Sequence, residues 1–311
     1  MPVGEEGLRY DAPHVVGIDL GGTATRFVRM SLAGDVLGRV IVATPPSRQH
    51  DEHGAFLLRN FLAIGSSGAI RAIGVGASGP IDHDGVIRNS DTLASFSDFD
   101  LKDRLRGLFG VGVVIDNDAV AAAVAEQRYG AALSAASLLH ITLGTGIGTC
   151  LLIDGKPFRG SDGVHPEGGH LSVATPSPSC YCGRPGCWEQ VASRGALEAA
   201  AELVCSDGRR GTSAVSEASE LARRGDVEAL RVFREYGERV GEGLSTLVGL
   251  YRPSLVVLGG SVANNFELIV TAIRGAVEPT SAWHAPFDLK ASVLDDFGGA
   301  IGAAVLAVES L

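Results

Sequence analysis

Short apolar runs recur along the chain and are separated by glycine-rich turns. The first, His14 to Asp19, is apolar and β-branched, and reads as a buried strand. Gly21-Gly22-Thr23 makes a tight turn, and the alternation in Arg26-Phe27-Val28-Arg29-Met30 predicts a returning strand. Val36 to Ala43 completes a meander. Glu52 to Ile64 has helical spacing. Ala72 to Ala77 is a strand that ends in Ser78-Gly79-Pro80, and Leu101 to Leu108 is a short helix. Val111 to Ile115 is a strand running into Asp116-Asn117-Asp118. The alanine-rich Ala119 to Tyr129 is a helix stopped at Gly130.

A second strand–glycine turn–strand unit follows, Leu138 to Leu143 and Gly148 to Ile153. Residues 154 to 187 hold many Gly, Pro and Ser with little periodicity, and are too long for an idle loop. Trp188 to Tyr251 is mostly helical with a break near Asp207-Gly208. Pro253 to Leu258 is a strand ending in Gly259-Gly260, Asn264 to Val277 a helix, Ala291 to Leu294 a last strand and Gly299 to Val308 a small-residue helix. Leu20-Gly21-Gly22-Thr23 and Leu143-Gly144-Thr145-Gly146 occupy matching turns. That echo predicts two similar α/β halves: residues 1–118, joined by the C-terminal helix 298–311, and residues 119–297 with the loop of 154 to 187. The boundary is expected near Asp118.

Composition narrows the function without naming it. Among 311 residues, 45% are apolar and 20% charged, enough for a large core. The net charge of −10 argues against nucleic acid, which needs a basic footprint. No run of about 18 apolar residues offers a membrane span. The first residues, MPVGEEGLRYDAPH, lack the basic and apolar regions of a signal peptide, so the cytoplasm is expected. Of five cysteines, three crowd between Cys180 and Cys187. An odd number in a reducing compartment argues against a disulfide framework.

Three constellations carry chemistry. In Asp19-Leu20-Gly21-Gly22-Thr23 the glycines permit positive φ and let a phosphate approach the backbone, Thr23 and Thr25 add hydroxyls, and Asp19 suits Mg²⁺. Gly144-Thr145-Gly146 and Gly259-Gly260-Ser261 repeat the pattern after other strands. None is a Walker loop or a dinucleotide fingerprint. Asp118, at a strand-to-helix junction, can take a proton from a sugar hydroxyl as a phosphoryl group transfers, although locally it reads first as a helix cap. Asn117 beside it can bond a substrate hydroxyl. Finally, Cys180-Tyr181-Cys182-Gly183-Arg184-Pro185-Gly186-Cys187 with His170 makes a Cys₃His set suited to structural zinc, His165 being a rival on spacing alone. Such a zinc would hold Glu167 and Glu189, each of which otherwise reads as a solvated surface glutamate.

Glu167-x-x-His170 followed by Cys180-x-Cys182-Gly183-x-x-Gly186-Cys187-x-Glu189 resembles the signature of the ROK (repressor, open reading frame, kinase) sugar kinases. The resemblance extends from the Asp19 turn through Asn117-Asp118 and Gly144-Thr145-Gly146 to Gly259-Gly260. It implies an α/β, actin/hexokinase-like (ribonuclease H-like) fold of two lobes that close over ATP-Mg²⁺ and a sugar. It implies Asp118 as catalytic base and Gly79, Asn117, Glu167, His170 and Glu189 at the sugar. His170, Cys180, Cys182 and Cys187 are implied as ligands of a structural zinc, which decides against His165. The glycine turns, including Gly21, Gly22, Gly144, Thr145 and Gly146, are implied at phosphate, and Gly259-Gly260 at adenosine. Homodimers or homotetramers are implied as well. Some members are repressors with an added helix-turn-helix domain, for which the dozen residues before the first strand leave no room. Glucose is the leading substrate, with an N-acetylated hexosamine (ManNAc or GlcNAc) or a C7-cyclitol as the alternative. A non-enzymatic sugar sensor is a further reading, against which the intact Asp118 and both glycine turns count. The Asn-Leu-Pro-Gly-Trp-like segment of the family's glucokinases is here Thr92-Leu93-Ala94-Ser95-Phe96. Asn89 or Asp91 is the candidate to replace the lost asparagine. Gly76-Ala77-Ser78-Gly79-Pro80 keeps the glycine loop without closely matching the glucokinase motif.

Overall fold

The computed structural model of the chain describes residues 12–46, 50–65, 69–82, 84–174, 176, 178–205, 210–277 and 286–311. The polar amino-terminal stretch and the break near Asp207-Gly208 fall outside them. Contacts gather the chain into two compact units. One holds the described residues up to Ser134 with Pro157–His165 and Val293–Leu311; the other holds Ala135–Lys156 and Pro166–Ser292.

The first unit is built on β1 (His14–Leu20), buried on both faces because its side chains alternate between two packed layers. Val16, Ile18 and Leu20 join a core with Phe56, Leu57 and Phe61 of α1 (His50–Ala63) and Leu101 and Leu105 of α2 (Leu101–Phe109). The opposite face carries Gly17. There the backbone of α9 (Gly298–Glu309) comes so close that a Cβ on Gly17 would meet the carbonyl of Ala300. Gly74 of β4 (Ile70–Ala77) meets Ala303 in the same way. Gly302 of α9 in turn lies on the Ala121 carbonyl of α3 (Asp118–Tyr129). Small residues on α3 and α9 therefore reflect close helix packing more than helix propensity. The sheet runs β3 (Val36–Ala43), β2 (Ala24–Ser31), β1, β4, β5 (Gly112–Asn117), with an antiparallel meander followed by parallel strands.

The second unit repeats that order. β6 (Ser137–Leu143) and β7 (Ile147–Ile153) form the hairpin, and β8 (Lys156–Pro157) lies at its edge. β9 (Leu255–Gly259) and β10 (Asp288–Ala291) add in parallel on the other side of β6. The echo of the two glycine turns thus marks a repeated five-strand topology. The core packs Trp188, Phe233, Leu244 and Ile269 against the sheet. It is framed by α4 (Glu189–Ala192), α5 (Arg194–Glu202), α6 (Thr212–Arg223), α7 (Val227–Tyr251) and α8 (Phe266–Val277). Gly237 and Gly241 of α7 let it approach Ala272 and Ala276 of α8.

Three boundaries differ from the reading of the sequence. The first unit extends to Ser134 rather than Asp118, because α3 packs on α9, and it also takes in Pro157–His165. The last strand is Asp288–Ala291 rather than Ala291 to Leu294, because β9 pairs with it only from Leu255 to Leu258. Helix α8 starts at Phe266, after a 3-10 turn over Ser261–Asn265. No described helix is long and apolar enough to cross a membrane.

Candidate functional site

In the first unit, the polar candidates collect at the carboxyl ends of β1, β4 and β5. Asp19 lies against Gly299 in the first turn of α9, and Arg26 Nη1 donates to it at 3.4 Å. Burial, and then the charge of Asp118, push the Asp19 carboxyl up to about 7, with Arg26 opposing. Burial also raises Asp118, although its Oδ1 accepts the Ala119 N–H at 2.8 Å. The helix cap is Asn117, not Asp118. Asn117 is extended (ψ 148°), its Oδ1 also accepts the Ala119 N–H at 2.8 Å, and Asp118 is already the first helical residue.

The other end of the Asn117 amide donates to the Gly79 carbonyl at 3.2 Å. Gly79 has φ +89°, which demands glycine, and a Cβ there would strike the Asn89 amide. Asn89 is committed inside this loop. Its Nδ2 donates to the Ser78 carbonyl at 3.0 Å and to Thr92 Oγ1, and its Oδ1 accepts the Thr92 N–H at 3.0 Å. Asp91 stays exposed. Phe96 is wholly buried and stacks on His53 at 4.4 Å, so it belongs to the core. Gly21 and Gly22 do not use the positive φ that glycine permits. Gly22 is glycine because the Thr92 carbonyl fills the place of its Cβ. Thr25 also departs from expectation: it is fully buried and its hydroxyl pairs with Thr44 Oγ1 at 2.9 Å, while Thr44 donates to the Gly21 carbonyl. Thr25 thus braces the turn from within, and Thr23 is exposed.

In the second unit, Gly144 N–H closes the turn on the Gly146 carbonyl at 3.0 Å. Glu189 is buried, not a surface glutamate: its Oε2 accepts the Ile147 N–H at 2.8 Å, in the space that a Cβ on Gly146 would occupy. Thr149 fastens the residues on either side of Glu167. It donates to the Pro166 carbonyl at 3.2 Å and accepts the Gly168 N–H at 3.0 Å. Glu167 itself is half-buried. Trp188, between Cys187 and Glu189, is fully buried against Gly243 and donates its indole N–H to the Arg239 carbonyl at 2.9 Å. This anchor was not read from the sequence, where a lone tryptophan signals only a core.

The ligand atoms of His170, Cys180, Cys182 and Cys187 lie within 4.8 Å of one another. Cys182 and Cys187 Sγ are 3.5 Å apart, as are Cys180 Sγ and His170 Nδ1. Tetrahedral zinc, with bonds of roughly 2.0–2.3 Å, needs ligand separations of about 3.5 Å, so the donor set fits. His170 turns Nε2 to the Tyr181 hydroxyl at 3.3 Å, an outer partner of the kind that fixes a ligand's ring. His165 belongs to the first unit, near Asp116 and Arg159, and burial depresses it.

β9 ends at Gly259, beside β6, and Gly260 follows it. Gly260 has φ +79° and lies on the Leu143 carbonyl, so this segment touches the residue before Gly144. The next residue, Ser261, lines a cavity of about 390 Å³ together with Arg194, Glu198, Ser216, Arg223 and Asn265 among others. Arg194 was missed in the sequence, since an arginine opening a helix is unremarkable until the glycine turn is seen beside it.

The comparisons agree with this architecture. A model of the ROK family matches residues 15–310. A glucokinase of Streptomyces coelicolor is 30% identical over 320 residues, covering 94% of this chain and 97% of that protein. A xylose repressor of Bacillus subtilis is 28% identical over 239 residues, covering 76% of this chain and 61% of that protein. The solved ROK family glucokinase from Streptomyces griseus, in complex with glucose and AMPPNP, superposes with a TM-score of 0.81 at 32% identity, covering 95% of this chain and 99% of that one. The chain belongs to the ROK family, and its two sheets are those of the actin/hexokinase-like fold.

Proposed function

We propose that the protein is an ATP-dependent sugar kinase that transfers the γ-phosphate to a hydroxyl of a hexose, with glucose as the leading acceptor. The observation that carries this reading is the placing of two carboxylates, Asp19 near the end of β1 and Asp118 directly after β5, on strands that both pair with β4. Asp118 takes the proton of the acceptor hydroxyl as its oxygen bonds to the γ-phosphorus and ADP leaves. Burial raises its proton affinity, which suits a base that must hold that proton. Asp19 would hold Mg²⁺, which when bound neutralises charge on the phosphates and relieves the crowding of two carboxylates. Gly79, Asn117, Glu167, His170 and Glu189 contact the sugar. Gly21, Gly22, Thr23, Gly144, Thr145 and Gly146 border the phosphates, and Gly259 and Gly260 the adenosine. His170, Cys180, Cys182 and Cys187 would hold a structural zinc, which orders the segment between Glu167 and Glu189. The glucose and AMPPNP bound to the Streptomyces griseus glucokinase support the substrate pair.

The test is Asp118→Asn, expected to lower turnover by about 10²–10⁴-fold while fold and sugar binding persist. Near-normal turnover would sink the assignment of the base. Phosphate transfer across a panel of glucose, N-acetylhexosamines and C7-cyclitols names the acceptor. A second reading, a sugar-sensing regulator, draws on the likeness to the xylose repressor. Sugar binding without transfer to any member of the panel would favour it.

A further inference from the structure

The cavity that reaches Ser261, next to Gly260, is lined by two cations, Arg194 and Arg223, and by two carboxylates, Glu198 and Glu220. Arg223 is occupied: Nε and Nη2 donate to Glu267 at 3.0 and 2.7 Å, Nη2 also reaches Asn265 and Nη1 reaches Ser219. Arg194 is held differently. Its backbone N–H donates to the Gly144 carbonyl at 2.8 Å, which docks the start of α5 on the glycine turn. Its Nη2 donates to the hydroxyl of Thr145 at 3.2 Å. Its Nε is buried and lies 3.2 Å from Glu198 Oε1, yet is not aligned to make a hydrogen bond. The guanidinium is thus paired through its buried Nε side with one carboxylate, while Nη1 and the second N–H of Nη2 keep donor capacity for an anion. Close to Arg194 are the open turn of Gly144, where an added Cβ would meet only the Gly146 carbonyl at 3.8 Å, and the cavity that Arg194 itself lines.

We propose that Arg194 is the side chain that receives the phosphate chain of the nucleotide beside Gly144-Thr145-Gly146. The inference rests on the reading of the protein as an ATP-dependent kinase and names a residue in its donor site. Glu198 orients the guanidinium and Thr145 holds it in place. The contribution must therefore grow with the number of phosphates on the ligand and vanish for the nucleoside.

The experiment compares binding of adenosine, AMP, ADP and ATP, each with Mg²⁺, to the full chain and to Arg194→Ala and Arg194→Lys, by calorimetry. Arg194→Ala is expected to weaken ATP and ADP by about tenfold or more, to change adenosine by less than about twofold, and to leave sugar affinity unchanged. Arg194→Lys should restore part of the ATP affinity. Equal ATP affinity in wild type and Arg194→Ala overturns the inference alone. An equal loss for adenosine and ATP also overturns it, since Arg194 would then be building the cavity wall rather than holding phosphate. A wild type that binds no adenine nucleotide, though folded by circular dichroism, overturns the donor reading itself together with this inference.

Discussion

Polar side chains in the interior of this protein are placed where a neighbouring backbone leaves no alternative. Asn117 bonds forward to Ala119 and sideways to Gly79; Glu189 bonds the Ile147 N–H across a glycine. Neither role is visible in a motif, because each partner is distant in sequence or supplied by the main chain. His140 on β6 shows the same principle in a group that no proposed step uses. Its ring lies where a Cβ on Gly259 would project, and burial depresses it to about 4. A histidine neutral in the folded state and chargeable when unfolded favours folding above its ordinary value of 6.5. That contribution is lost as pH falls toward 4. The full difference is worth about 3 kcal/mol. Melting temperature measured from pH 7 to pH 4 should therefore fall less steeply in His140→Gln than in wild type. Parallel curves would show that His140 is not titrating in this window.

At the scale of elements, glycine and alanine content records distances between backbones. The helical period of α9 was legible in the sequence; that it lies close against β1, β4 and α3 was not. Gly302 and Gly275 separate the two meanings of a helical glycine. Helix propensity alone predicts that alanine stabilises either helix by up to about 1 kcal/mol. At Gly275 nothing stands within 4 Å of an added Cβ, so Gly275→Ala should realise that gain. At Gly302 the Cβ meets the Ala121 carbonyl of α3, and backbone cannot step aside cheaply. Gly302→Ala is expected to destabilise by about 1–3 kcal/mol. Urea unfolding of the two variants checks both signs.

At the scale of the whole molecule, one described segment has little regular secondary structure. The described part of residues 171–187 packs on the core through Leu171 and Val173, is joined by isolated bridges, Ser172 with Cys187 and Ser179 with Pro185, and carries three of the four candidate zinc ligands. A zinc ion held there adds its binding free energy to folding. Metal analysis should find about one zinc per chain, and a chelator should lower the melting temperature and sugar affinity together. Full stability after complete removal of zinc would contradict a structural role.

The amino-acid sequence by itself determined the alternation of strands and helices, the two matching glycine turns and the Cys₃His cluster. These are local: they depend on residue type at fixed spacing, through backbone freedom, periodicity and ligand chemistry. It also placed Asp118 at a strand-to-helix junction. Only the tertiary structure decided that Asn117 rather than Asp118 caps the helix, that Thr25 is sealed inside the sheet, and that Asn89 is occupied within its own loop. The tertiary structure likewise placed α3 in the first unit and set Arg194 on the turn of Gly144. The distant contacts, such as Thr25 with Thr44 or Arg194 with Thr145, carry no periodic signature and exist only once the chain has packed. The short-range bonds of Asn117 and Asn89 depend on which backbone conformation the packed chain imposes, which residue type alone does not decide.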